Sequence, residues 1–129
     1  MPPLLALLHL DDELRDRMAE FVAGWQVPPV STVIYGSVAR GEATAGSDLD
    51  LLVVRPDATE PDEATWQQQL VDLAERVQRW TGRRASVVDM SRREARNGLV
   101  HREPFLVEAA RDGWLIAGQA LRQLAEEGG

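Results

Sequence analysis

The side chains best suited to chemistry in this sequence are two aspartates separated by one residue, Asp48 and Asp50. They open a predicted strand at 48–54, and alternate residues of a strand project from one face, about 6.5–7 Å apart at Cα. Two carboxylates on one face repel each other, which favours a neutral form or a bound cation. Mg²⁺ prefers such oxygen ligands, often one or two carboxylates together with substrate phosphates. The pair therefore indicates metal-assisted phosphate chemistry.

A glycine and a serine, Gly36 and Ser37, form a second feature suited to phosphate binding. They follow a short β-branched strand predicted at 31–35 and precede a predicted helical turn at 38–40. The start of a helix offers free backbone N–H groups and a positive dipole end, which together bind phosphate. Gly36 lets a phosphate approach the backbone, Ser37 adds a hydroxyl group and Arg40 supplies positive charge. The turn is not a Walker loop, because no Gly-Lys-Ser/Thr follows it.

Each feature alone is common in turns and at strand ends, but their combination is specific. Gly-Ser, ten residues and Asp-x-Asp follow one another, each at a strand end. Residues 36–51 thereby resemble the DNA polymerase β-like nucleotidyltransferase superfamily. They are more closely similar to its minimal nucleotidyltransferases, small bacterial proteins with GSxARG and SDxDL motifs. The match has no gap and no lost acid, and the resemblance to the family fold extends through about Gly118.

The resemblance implies a set of roles for these residues. Asp48 and Asp50 are expected to bind two Mg²⁺ ions, and a third acidic residue is expected from a later strand. Asp89 is the candidate, because it ends the apolar run 87–88 whereas other later aspartates lie in a turn or on a helix surface. Asp89 would complete the metal site and accept the proton of the attacking hydroxyl. That hydroxyl would attack the α-phosphorus of a nucleoside triphosphate, ATP in the first place, and pyrophosphate would leave.

The acceptor is expected on another protein. Larger members of the superfamily add a helical domain that grips the base or the acceptor, and this chain is too short to contain one. The minimal family usually works with a HEPN-domain protein, so the resemblance implies the antitoxin of a toxin–antitoxin pair, transferring AMP to a tyrosine hydroxyl of the toxin. Two alternatives stay open: a small-molecule nucleotidyltransferase of the aminoglycoside-modifying type, and a non-catalytic nucleotide-binding regulatory domain.

Composition narrows the range of partners and compartments. The 129 residues carry a net charge of −7, which disfavours direct nucleic-acid binding. No apolar run is long enough to span a membrane. Cysteine is absent, which excludes disulfides, thiolate metal sites and a cysteine nucleophile and fits a cytoplasmic location. All 14 cations are arginine, and six of them lie in 83–102. Three roles stay open for the arginines of 83–96: contact with the triphosphate, a docking edge for a partner, or a solvated face.

The order of the predicted helices and strands that must position these residues indicates an α/β protein, with a small mixed sheet of about four strands and helices packed on it. Strands are predicted at 31–35, 48–54, 84–89 and 114–117. A long amphipathic helix ends at Gly82, and Ser91 begins a short helix that Gly98 closes. The whole chain, 1–129, is expected to form one nucleotidyltransferase domain. Its N-terminal helix is predicted within 1–25, its core within 31–118 and a terminal helix within 119–129.

Overall fold

The computed structural model describes residues 4–127, with side chains from residue 11 onward. Residues 1–3 and 128–129, which belong to the predicted terminal segments, lie outside the described residues. Within the described range, helices and strands follow one another as α1 (Leu4–Ala23), β1 (Ser31–Tyr35), α2 (Gly36–Ala39), β2 (Leu49–Arg55), α3 (Ala64–Thr81), β3 (Ala85–Ser91), α4 (Arg92–Val100), α5 (Pro104–Asp112), β4 (Trp114–Gly118) and α6 (Leu121–Glu126).

The four strands form one mixed sheet in the order β3-β2-β1-β4. β1 pairs antiparallel with both β2 and β4, whereas β2 and β3 are parallel and are connected through α3. A parallel pair needs such a long crossover, and a helix commonly supplies it. The predicted mixed sheet with helices packed on it is confirmed.

Helices cover both faces of the sheet, and side chains alternate between the two faces along each strand. The first face packs against α1 and α3, and β2 contributes Leu49, Leu51 and Val53 to it. The second face packs against α4, α5 and α6, and β2 contributes Leu52 and Val54. Strand β2 is therefore apolar on both sides, as expected for a central strand. Its polar residues are confined to its two ends.

Two local predictions differ from the structure. Strand β2 begins at Leu49, so Asp48 lies in the preceding loop and not on the strand. Helix α4 continues to Val100, and Gly98 lies inside it. A Cβ atom on Gly98 would lie 2.2 Å from a methyl carbon of Leu106. Gly98 therefore allows α4 and α5 to approach closely, and it does not end the helix.

Between residues 4 and 127, none of the helices combines the length and the apolar character needed to cross a membrane.

Candidate active site

Asp50 lies on the second face of the sheet, at the end where the sheet meets the turn after β1. Its neighbours Leu49 and Leu51 both point into the core of the first face, so the Asp50 side chain must point the opposite way. In the strand register, Asp50 is paired with Tyr35 on one side and with Ser86 on the other. A phenol, a carboxylate and a hydroxyl therefore form one row across three strands.

The turn after β1 packs directly against Asp50. Gly36 is buried and has a φ of +75°, a backbone conformation that L side chains rarely adopt. A Cβ atom on this residue would lie 2.3 Å from Oδ2 of Asp50. Glycine is thus required here for two reasons: the positive φ of the backbone and the room that the Asp50 carboxylate needs. Ser37 follows in the half-buried turn α2.

Electrostatics around Asp50 disfavour its charged form. Burial raises the pKa of Asp50 above its ordinary value, the nearby charge of Asp48 raises it further, and the Arg40 guanidinium partly opposes both. The structure thus brings Asp48 and Asp50 close enough to repel each other. Burial and the charge of Asp50 also raise the pKa of the Tyr35 phenol. Such a site gains from a bound cation, which would relieve the repulsion.

Arg40 lies beside these carboxylates and is held by two glutamates. Its Nε donates to Glu42 at 3.0 Å, and its Nη1 forms an ion pair with Glu108 on α5. About a third of the Arg40 side chain remains exposed. The residue is therefore fixed in place with positive charge next to Asp50, as phosphate binding at this turn would require.

Arg83, which follows the C-terminal end of α3, holds the loop that carries Asp48. The Nη1 of Arg83 donates to the carbonyl oxygens of Thr44, at 2.6 Å, and Ser47, at 3.0 Å. Within the loop, the Ser47 hydroxyl accepts from the backbone N–H of Thr44 at 2.9 Å. Arg83 is thus engaged in positioning the loop. Sequence reasoning missed this, because the contact spans more than 35 residues.

The structure does not bring Asp89 to the other two aspartates, and the prediction that the three converge is wrong. In the register of β2 and β3, Asp89 is opposite Val53, and Val53 belongs to the first face. Asp89 accepts hydrogen bonds from Arg55 at 2.8 Å and from the indole of Trp66 at 3.2 Å. The cause is the period of two along a strand: three positions separate Asp89 from Ser86, so the two side chains project from opposite faces.

Two of the four other arginines expected to contact triphosphate are engaged elsewhere. Arg92 forms an ion pair with Glu127, and Arg96 donates to the carbonyl oxygen of the same residue. Both arginines thereby attach the last helix to α4. Arg84 and Arg93 are exposed. The segment 83–96 is therefore partly structural, and a docking role there stays a prediction.

The donor set fits a divalent cation bound through two carboxylates. Mg²⁺ is commonly held by one or two carboxylates together with phosphate oxygens, and Asp48 and Asp50 provide such a pair beside an open turn. Among the residues that the structure describes, no three His, Asp or Glu side chains form a group that could hold a metal ion.

Paired aspartates beside a Gly-Ser turn, at the open end of a mixed sheet, are the arrangement that the sequence motifs predict for a nucleotidyltransferase. A family model described as a nucleotidyltransferase domain matches residues 12–108, which is well over half of the chain. The chain therefore belongs to the nucleotidyltransferase domain family. This confirms the family predicted from the motifs and the class of enzyme that it implies. Among curated proteins, no match is found.

Solved structures share the fold. A chain of a toxin–antitoxin complex crystallised with AMP-PNP has a TM-score of 0.57 at 17% identity, over 88% of this chain and 82% of that chain. A mutant of the toxin–antitoxin complex MntA–HpeT gives 0.56 at 12% identity, with the same coverage. A structure of the tri-AMPylated Shewanella oneidensis HEPN toxin in complex with MNT antitoxin gives 0.50 at 13% identity, over 89% of this chain and 76% of that one. At these identities the likeness confirms the predicted fold.

The raised pKa of Asp50 predicts how stability depends on charge at the site. Asp50→Asn should raise the melting temperature in EDTA at pH 7, because it removes a carboxylate whose charged form the folded chain disfavours. In the parent, the charge of Asp50 lowers the free energy of unfolding. This loss is absent below the ordinary pKa of 3.8, grows as the pH rises, and is complete above the higher pKa of the folded chain. The gain should therefore shrink in acid. Asp62→Asn, in an exposed loop, is the control; a lower melting temperature for Asp50→Asn would contradict the account.

The placement of Asp89 predicts a role in stability. Asp89→Ala should lower the free energy of unfolding by about 3 kcal/mol, because it leaves the nearly buried Arg55 without its main partner. Denaturant titration measures the loss, with Asp62→Ala as the exposed control. Equal stability of Asp89→Ala and the parent would show that the ion pair contributes nothing.

The contacts of Arg83 predict that it orders the loop that carries Asp48. Arg83→Met keeps the aliphatic stem and removes two hydrogen bonds, each worth about 0.5–1.5 kcal/mol. Amide hydrogen exchange in residues 42–48 should accelerate about tenfold or more, while exchange in β1 stays unchanged. Arg84→Met, a substitution at the exposed neighbouring residue, is the matched control. If the two variants exchange alike, Arg83 does not hold the loop.

Proposed function

We propose that this chain transfers AMP from ATP to a hydroxyl group on a partner protein of the HEPN class, as the antitoxin of a toxin–antitoxin pair. The observation that carries the proposal is the Asp50 carboxylate packed against Gly36, with the charge of Asp48 beside it. That contact unites the two halves of the motif in one place, at an open end of the sheet. Membership of the nucleotidyltransferase domain family supports the reaction class.

Each residue has a role suited to its position. Asp48 and Asp50 would hold a divalent cation, Mg²⁺ in the first place, together with the phosphates of the nucleotide. Bound there, the cation supplies positive charge that offsets the charge of the phosphates. The Ser37 hydroxyl and the backbone at Gly36 would orient the phosphates. Arg40, fixed by its glutamates, would add positive charge from the side of α5.

The transfer itself breaks one bond and forms one. The oxygen of the acceptor hydroxyl bonds to the α-phosphorus, the bond from that phosphorus to the bridging oxygen of pyrophosphate breaks, and the hydroxyl proton passes to water. Asp89 is unavailable as the proton acceptor, because it projects from the other face and is bound to Arg55 and Trp66. Placing the hydroxyl in line with the α-phosphorus supplies much of the rate in such reactions.

The choice of partner is supported by the proteins that share the fold. One of them is part of a toxin–antitoxin complex with AMP-PNP, and another structure holds a tri-AMPylated HEPN toxin with MNT antitoxin. The turn that borders the site, α2, is only four residues long. A protein surface that presents its own hydroxyl could complete such a site. The net charge of −7 argues against a nucleic acid as the acceptor.

Labelled ATP tests the proposal. With Mg²⁺ and a co-purified HEPN protein, label from [α-³²P]ATP should enter the partner and label from [γ-³²P]ATP should not. Asp48→Asn or Asp50→Asn should reduce the rate about 10²–10³-fold, the usual loss when one electrostatic group of an active site is removed. Asp89→Asn, assayed below its melting temperature, is the matched control and should retain the parent rate.

Other outcomes assign other functions. Label in a small molecule of the host lysate, with no labelled protein, would identify the antibiotic-modifying class. Binding of ATP without any transfer would identify a regulatory domain. Transfer from the γ-position would exclude nucleotidyl transfer.

A further inference from the structure

We propose that this site holds a single divalent cation with its nucleotide, because the third ligand position of the site is occupied by the hydroxyl of Ser86 and not by a carboxylate. The inference rests on the proposed function. It also revises the expectation of two Mg²⁺ ions that the family resemblance implies.

The position of Ser86 follows from the register of the sheet. Ser86 is paired with Asp50 across the parallel strands β2 and β3. Its neighbours Ala85 and Val87 pack against the core of the first face, so Ser86 projects from the second face with Asp50. Neighbouring strands are about 4.8 Å apart. Ser86 is therefore the residue of β3 from which a ligand could reach a cation bound by Asp50.

No other residue of β3 can replace it. The next positions on the same face are Val88 and Met90, which are apolar and pack against the second core. Asp89, the carboxylate of this strand, belongs to the first face and is held by Arg55 and Trp66. A neutral hydroxyl brings no charge to a cation site, and charge is a main determinant of affinity for hard cations.

The remaining carboxylates near the turn are also engaged. Glu42 and Glu108 both form ion pairs with Arg40. Within the described part of the chain, no third acidic side chain joins Asp48 and Asp50. Two carboxylates and a triphosphate suffice for one octahedral ion. A second ion would have to share these two carboxylates and take its other ligands from water.

Electron paramagnetic resonance of Mn²⁺ counts the ions directly. The full chain and α,β-methylene ATP, at equal concentrations high enough that nearly all of both is in the complex, receive one and then two equivalents of Mn²⁺ per complex. The methylene bridge prevents cleavage, so the readout does not depend on activity. The parent should bind one isolated Mn²⁺ and leave the second equivalent in solution. Ser86→Asp should bind both Mn²⁺ ions as a spin-coupled pair. Ser86→Asn introduces a side chain of the same shape as aspartate but without its charge, and it should bind one ion as the parent does.

The outcomes separate this inference from the proposed function. A spin-coupled pair in the parent overturns the single-ion inference and leaves the proposed function standing. No protein-bound Mn²⁺ in the parent, with Asp50→Asn indistinguishable from it, overturns both. If Ser86→Asp folds and still binds one ion, Ser86 is not at the third ligand position and the assignment is wrong. If Ser86→Asp fails to fold, the spectrum of the parent alone decides the number of ions.

Discussion

Burial of strand β2 on both faces is the constraint on which the site depends. Its apolar side chains enter two separate cores, so a carboxylate in its middle would be buried without water. Burying an unpaired charge costs so much that a group in such a place usually becomes neutral. Asp50 is tolerated because it lies at the end of the strand, where the second face opens beside the turn of Gly36. A strand that is buried on both faces thus positions the Asp50 carboxylate.

The rest of the site holds the charged side chains of Asp48 and Arg40 close to this carboxylate. Gly36 has no side chain, and Asp50 can therefore pack against the turn. The Asp48 loop is held by Arg83, and Arg40 is held by two glutamates. Two carboxylates are thereby kept near each other, and burial together with the charge of Asp48 raises the pKa of Asp50. The folded chain carries the repulsion between the two carboxylates before any ligand binds, and a cation brought by a nucleotide would relieve it.

The elements of the fold, and the closeness of Asp50 to Asp48 and to the turn of Gly36, could be predicted from the sequence, because both are local. Short runs of apolar and β-branched residues define the strands, and the motif of residues 36–51 is contiguous in sequence. The prediction of Asp89 as the third acid was wrong for a non-local reason. The place of Asp89 at the end of an apolar run predicts a site residue, but the face from which its side chain projects is decided by the pairing register of β3 on β2. A register is set by contacts between distant segments, so the sequence alone could not reveal that Ser86 faces Asp50. The pairing of Tyr35 with Asp50 and the contacts of Arg83 were missed for the same reason.

The central claim is that chemistry takes place on the face of Asp50 and that Asp89 has no part in it. Anomalous diffraction from crystals of the chain grown with Mn²⁺ and α,β-methylene ATP tests this most directly. The account predicts an anomalous peak in contact with the carboxylates of Asp48 and Asp50 and with the phosphates, while Asp89 stays bound to Arg55 and Trp66. A peak ligated by Asp89, or nucleotide bound on the first face of the sheet, would contradict it.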